Sequence, residues 1–317
     1  LVCDTGEADA DALRARRQAV NAGAVTRYRV VHRTTYEYSA PMSDGYSLAY
    51  LLPRDTSNQT VERVDVTVDP PPDELARRTD LFGNRVVQLG IHHQHEALTV
   101  TAESDVTVGP AQVHGSGPPW ERVVDAVTRV RGDEALDVRP FAGGVRMVTE
   151  DSDRDDVREI AEAAFLPERP VIDAARALCH DIYTTFDYDR TFTEVSTPLT
   201  TVLKARRGVC QDFAHVAISA LRHLGLAARY VSGYLASVPQ RGSPQPVGAD
   251  ASHAWCSLWV PDAGWVDFDP TNDRLPADRH ITVAWGRDYG DVAPIRGIVI
   301  GPQASQTLVV AVDVTER

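Results

Sequence analysis

The chain has 317 residues and a formal charge of -13, with 43% hydrophobic and 24% charged residues, 21 glycines and 20 prolines. That length corresponds to about two average domains, and the composition excludes disordered, collagenous and coiled-coil chains. The acidic balance argues against nucleic acid and anionic membranes as partners, since both reward clustered Lys and Arg, and it leaves neutral, basic or peptidic substrates.

The elements begin after an N-terminal extension, residues 1–25, that is polar and helix-prone where a secretory segment would be apolar. No window approaches ~18 consecutive apolar residues, so a cytoplasmic location is expected. From Thr26 to Tyr38 the residues alternate, with Tyr28, Val30, His32, Thr34, Tyr36 and Tyr38 on one face. Val64, Val66 and Val68 share a side of the next strand, Val61 to Val68, which the proline-rich stretch Asp69–Asp73 ends. Short strands over Asn84–Gly90, Ala97–Thr101 and Val106–Val108 complete an all-β module, residues 26–112, of the antiparallel sandwich or barrel kind. Gly115-Ser116-Gly117-Pro118-Pro119 denies helix and ladder continuity alike and opens a linker and helical segment, 113–170. Helices are expected over Asp151–Phe165 and Pro170–Tyr183. The segment 171–290 reads as a second α+β domain, with strands after Gly225, a polar loop at Pro239–Gly248 and a Pro261–Gly264 turn. Gly297–Ile300 and Thr307–Val314 form a last pair of strands, 291–317, packing back on the β module or the core.

The chemistry concentrates in the second domain. Cys3, Cys179, Cys210 and Cys256 show no CxxC spacing and no framework pattern, so each is read as a free thiol with neither structural zinc nor disulfides. Gly208-Val209-Cys210-Gln211-Asp212-Phe213 leads into a helical run, Val216, Ala217, Ala220, Leu221 and Leu224, that Gly225 stops. Cys210 thus falls in the first turn, where free amides and the positive end of the helix dipole favour a thiolate and can hold an oxyanion. A cysteine near a helix start is ordinarily a small buried hydrophobe, and two further groups argue otherwise. His253 opens a strand in Ser252-His253-Ala254-Trp255, and Asp267 and Asp269 lie on the next, supplying the parts for thiolate attack, imidazole proton transfer and imidazole orientation.

Geometry puts a condition on that set. With the four-residue loop Pro261–Gly264 and no bulge, Val260 pairs with Trp265 and Asp269 lies across from Cys256, so that His253 points away from it. The set requires a bulge or a different loop. Other candidates carry plainer readings: His92, His93 and His95 lack a paired acidic or thiol partner at ligand spacing and read as solvated side chains, not a metal site. His215 lies about 140° from Cys210 on a wheel of ~3.6 residues per turn and is a poor base. His223 and His280 have no supporting partner, and Trp255, Trp259, Trp265 and Trp285 read as packing more than as a substrate groove.

Arg207–His215, Leu221-Arg222 with Gly225, Ala228–Tyr234, Ser252–Trp255 and Phe268-Asp269-Pro270-Thr271-Asn272 together resemble the core of bacterial transglutaminase-like proteins. Tyr36-Glu37-Tyr38, Leu52-Pro53-Arg54 and Phe82-Gly83-Asn84 resemble the β-rich N-terminal module that accompanies it. The resemblance implies a papain-like arrangement with Cys210 as nucleophile, His253 as general base and then acid, and Asp269, immediately before Pro-Thr, as the orienting carboxylate. It implies no metal and no organic cofactor. The implied activity is attack on an amide of a peptide, protein or small-molecule substrate to give a thioester, resolved by water (protease, amidase or deamidase) or by a primary amine (transglutaminase). Lys204 is the sole lysine, which favours water, because self-coupling has one donor. A peptide-binding module without turnover is the alternative of a different class. Oligomeric state is left open.

Overall fold

The computed structural model describes residues 25–110, 115–143, 151–194, 197–236 and 252–317. The extension 1–25 up to Ala24, Cys3 and the loop Pro239–Gly248 lie outside the described residues. Six strands come first: β1 (Thr26–Met42), β2 (Asp44–Ala49), β3 (Gln59–Asp69), β4 (Glu74–Thr79), β5 (Arg85–Ile91) and β6 (His95–Val108). Helices α1 (Trp120–Arg129), α2 (Gly132–Val138), α3 (Asp151–Ala164) and α4 (Val171–Thr185) follow. Then come β7 (Asp187–Tyr188), α5 (Leu199–Ala205), β8 (Arg207–Gly208), α6 (Cys210–His223), β9 (Ala228–Leu235), β10 (Ser252–Val260), β11 (Gly264–Phe268) and β12 (His280–Gly286). The short α7 (Tyr289–Val292), β13 (Ile295–Ile300) and β14 (Gln306–Glu316) end the order. The class is α+β, with antiparallel sheets ahead of a helix-on-sheet core.

Two four-stranded sheets, ordered β14-β1-β6-β3 and β13-β2-β5-β4, make the β-rich part. Along β1 the alternation works as the sequence indicates, with Tyr28, Val30, His32 and Thr34 all buried. The structure differs at β6, where the two short segments over Ala97–Thr101 and Val106–Val108 are one strand. The polar triplet Glu103-Ser104-Asp105 looks like a break, yet Ser104 is buried opposite Val30 and Val64, while Glu103 turns outward to Arg29 at 2.6 Å. Alternation survives the triplet, so the ladder does too. β4 carries no apolar alternation because it is an exposed edge strand rich in charge, Glu74, Arg77 and Arg78.

In the core, α6 packs against β9 and β10 and is flanked by α3, α4 and α5. From Asp212 to Arg222 every side chain of this helix is buried, so it runs through the interior instead of along a surface. Gly225, at φ 83°, turns the chain out of the helix, with Leu226 N donating to Leu221 O. The sheet beneath is ordered β11-β10-β9-β12, and β12 is its edge.

That edge is covered by the β-rich part. Gln59 Nε2 donates to Thr282 O at 2.8 Å and Gln59 Oε1 accepts from Thr282 N at 2.8 Å. Asn84 makes the same exchange with Trp285, Nδ2 to O at 2.8 Å and N to Oδ1 at 2.9 Å. Two side-chain amides thereby continue the ladder where a strand would otherwise add. Arg54 braces the seam, its guanidinium 3.2 Å from the Trp285 ring centroid and bonded to Phe82 O and Asn84 Oδ1. The triplets Leu52–Arg54 and Phe82–Asn84 meet at this joint. Of the tryptophans, Trp255 is buried, while Trp265 and Trp285 clamp the buried Arg229; they pack and do not line a groove.

Candidate active site

Cys210 opens α6 after an extended Val209, φ -118°. Asp212 holds this corner, its Oδ2 accepting from Val209 N at 2.8 Å and from Thr193 Oγ1 at 2.7 Å. This is one half of a capping box; valine has no side-chain oxygen for the other half. Burial pushes the Asp212 carboxyl up, against the pull of those two bonds. Gly208 is required here, because a Cβ would sit 2.7 Å from Asp212 Oδ2. Cys210 is half-buried, whereas the other described cysteines, Cys179 and Cys256, are free thiols in the core.

The hairpin between β10 and β11 resolves the geometric condition raised by the sequence. Val260 pairs with Gly264, Trp259 with Trp265 and Cys256 with Phe268, so the loop has three residues and not four. Asp262 (φ 64°) and Gly264 (φ 73°) both take left-handed conformations to close it. Continuing that register sets Asp269 opposite Trp255, on the face shared with His253. His253 Nε2 lies 2.8 Å from Asp269 Oδ2, with both residues buried.

Burial alone pushes the His253 imidazole down, but the Asp269 carboxylate and the Cys210 sulfur outweigh it and lift the group to about 10. Asp269 is penalised by burial too, and its imidazole partners hold it far below the usual carboxylate range. Cys210 acts on His253 both as a charge and as a hydrogen-bonding partner, yet His253 Nδ1 is buried with no well-aligned bond. A nucleophile and base that are close but not locked together are usual before a substrate binds.

Sequence reasoning missed two members of this site. His280, which looked partnerless, places Nε2 3.0 Å from the same Asp269 Oδ2. Asn272 Nδ2 donates to that oxygen at 2.8 Å, and the amides of Thr271 and Asn272 donate to Oδ1 at 3.0 and 3.2 Å. No spacing rule relates His280 to Asp269; only the β9–β12 pairing brings it there. The ligand-type atoms of His253, Asp269 and His280 lie within 4.8 Å of one another, a spacing an ion could bridge, and each is engaged in the hydrogen bonds just described. His215 is turned elsewhere, accepting from Tyr289 N at 3.1 Å and stacked on Tyr230. At His92 and His93 the sequence reading needs correction: carboxylates do face them, Asp44 at 2.8 Å and Asp73 at 3.1 Å, brought by chain pairing and not by local spacing.

Cys210 and His253 open into a cavity of about 380 Å³. One wall belongs to the core, with Gln211, Tyr230, Ser232 and Ser252. The opposite wall is the β1–β14 pair, contributing His32, Thr34 and Tyr36 from one strand and Leu308, Val310 and Val312 from the other.

Known proteins share this architecture. Residues 28–107 match the bacterial transglutaminase-like N-terminal region and residues 158–270 the transglutaminase-like superfamily. An uncharacterized protein of Mycobacterium tuberculosis is 41% identical over 299 residues, 91% of this chain and 92% of its own. One from Mycobacterium leprae is 35% identical over 292 residues, 91% and 98% of the two chains. A protein-glutamine gamma-glutamyltransferase of Pseudomonas aeruginosa is 37% identical over 78 residues, 22% of this chain and 11% of that protein. A Cytophaga hutchinsonii structure described as a candidate cysteine protease has the same fold, with TM-score 0.71, 22% identity and 92% and 91% of the two chains covered. Among the described residues no helix is long and apolar enough to cross a membrane.

Proposed function

Because the chain belongs to the bacterial transglutaminase-like family, we propose that it is a thiol enzyme acting on amide bonds through Cys210, His253 and Asp269. The observation carrying this reading is the buried 2.8 Å contact between Asp269 and His253, which leaves the other imidazole nitrogen for the Cys210 side of the cavity. Asp269 fixes the ring and stabilises its protonated form. An imidazole lifted to about 10 carries its proton at neutral pH, beside the sulfur that must be anionic to attack.

The sulfur adds to the substrate carbonyl carbon, and amides at the start of α6 are suited to the developing oxyanion. His253 then gives its proton to the amide nitrogen, the C–N bond breaks and the amine departs, leaving a thioester. Water, losing a proton to His253, attacks the thioester; the C–S bond breaks and an acid is released. Hydrolysis is the favoured outcome, because Lys204 is the sole lysine for self-coupling. Amine transfer is the second reading, favoured by the 78-residue similarity to the Pseudomonas glutamyltransferase. A peptide or protein, or a small amide, is the partner in either case.

The test is mass spectrometry of a proteome incubated with the protein. Hydrolysis shows as cleaved peptides or glutamines heavier by about one dalton, transfer as cross-links, all through one acyl-enzyme. Each signal should vanish with Cys210→Ala. Products that persist in that variant overturn the assignment.

A further inference from the structure

We propose that β14 supplies a subsite for an uncharged, apolar side chain on the acyl side of the scissile amide, so that the substrates are amides whose acyl group is hydrophobic. The proposal rests on the thiol-enzyme reading above and adds what the site accepts.

The cavity wall opposite Cys210 is made by one face of a two-stranded ladder. Tyr36 pairs with Leu308, Thr34 with Val310 and His32 with Val312, and all six line the cavity. Alternation along β14 therefore sends Leu308, Val310 and Val312 towards the nucleophile and Val309 and Ala311 away from it. Among the described residues the lining holds no Lys, Arg, Asp or Glu. Its one histidine on the β1 side, His32, is bound between Tyr234 Oη and Thr34 Oγ1, each at 3.0 Å, and burial pushes it to about 4, so it is neutral at pH 7. A charged side chain entering this wall would lose hydration and find no counter-charge on β1 or β14.

Leu308 and Val310 remain 53% and 49% exposed. Apolar surface standing open inside a cavity, next to a reactive group, is what a ligand covers. A volume of about 380 Å³ lies near the lower end of small-ligand sites, roughly 300–1,000 Å³, which suits one side chain with its adjoining carbonyl better than a long peptide. The occupant is thus the residue or acyl group that becomes the thioester.

The test uses N-acetyl aminoacyl chloromethyl ketones that differ only in side chain: Leu, Phe, Glu and Lys. The Cys210 sulfur displaces chloride to give a thioether, and the labelling rate is read from intact mass and peptide mapping. Leu and Phe reagents should label Cys210 at least about tenfold faster than Glu and Lys reagents, the scale on which apolar pockets discriminate. Val310→Glu should erase that preference. Val309→Glu, on the same strand and 52% exposed but on the other face, should keep it; a merely structural role for β14 would make the two variants behave alike. Should Val310→Glu fail to fold, Leu308→Ser replaces it. A flat profile across the four reagents, or equal effects of the two glutamates, overturns the subsite. Iodoacetamide, which has no side chain to place, separates this from the parent reading: if it labels Cys210 no faster than in His253→Ala, the thiol enzyme itself fails.

Discussion

At Asp269 a single carboxylate oxygen serves two imidazoles and an amide. The two rings cannot behave alike. His253 has the Cys210 sulfur on its far side and is held up at about 10, whereas His280 is pushed down, by burial first, against the pull of Asp269. His280 therefore stays neutral, donates through Nε2, and acts as a positioning residue that keeps the carboxylate anionic and aimed. Removing a buried hydrogen bond to a charged group costs about 1.5–3 kcal/mol. His280→Ala is expected to lower the unfolding midpoint and slow Cys210 alkylation by iodoacetamide, and His280→Gln, which retains a donor, to recover part of both. His253→Ala should slow alkylation at pH 6 by about 100-fold, the lower range for loss of a proton-transfer partner; equal rates in variant and parent would remove His253 from the site.

The β10–β11 hairpin shows how near the sequence comes to fixing the site and where it stops. Cys210, His253 and Asp269 are legible as motifs, and the helix that bears Cys210 is legible from its periodicity. Whether His253 and Asp269 face one another turns on one residue of loop length, and Pro261–Gly264 permits either three or four. The decision comes from Asp262 and Gly264 accepting positive φ, which residue type allows but does not dictate. Gly264 has open space where a Cβ would go, so Gly264→Ala should cost about 1 kcal/mol from backbone strain alone, and Gly264→Asn less, as read by denaturant midpoint. Gly208 is different in kind: Gly208→Ala drives a methyl into Asp212 and should impair alkylation of Cys210 as well as stability. His280 and the carboxylates beside His92 and His93 were illegible because each is brought to its partner by strand pairing or tertiary packing, whereas Asn272 meets Asp269 within one local turn and stands in the quoted motif without its role being read.

Across the whole molecule, the pH dependence of stability should peak near the ordinary imidazole value. His32 and His215 are pushed down to about 4 and about 3, burial being the main cause for both. Below about 6.5 the unfolded chain takes up protons that the folded chain refuses, so stability falls as pH drops towards 4. His253, raised to about 10, acts with the opposite sign: its contribution is complete below about 6.5 and is lost as pH rises towards 10. Melting temperatures measured from pH 4 to pH 10 should therefore decline on both sides, and a midpoint still rising at pH 9 would contradict the assignment. At the same scale, Gln59→Leu strands the amide of Thr282, whose carbonyl keeps only Arg54 N at 3.3 Å, and should cost about 1–3 kcal/mol while leaving β9 to β11 intact.

The wall that β14 builds has a consequence for timing. A ribosome emits the segments bearing Cys210, His253 and Asp269 before it emits Leu308, Val310 and Val312, so the nascent polypeptide carries the proposed trio before the strand proposed to choose what reaches it. Pairing of β14 with β1 spans almost the entire sequence and is among the slowest contacts to form. If β14 selects the acyl group as proposed, selectivity follows reactivity, and maturation, more than synthesis, sets when the sulfur meets that group.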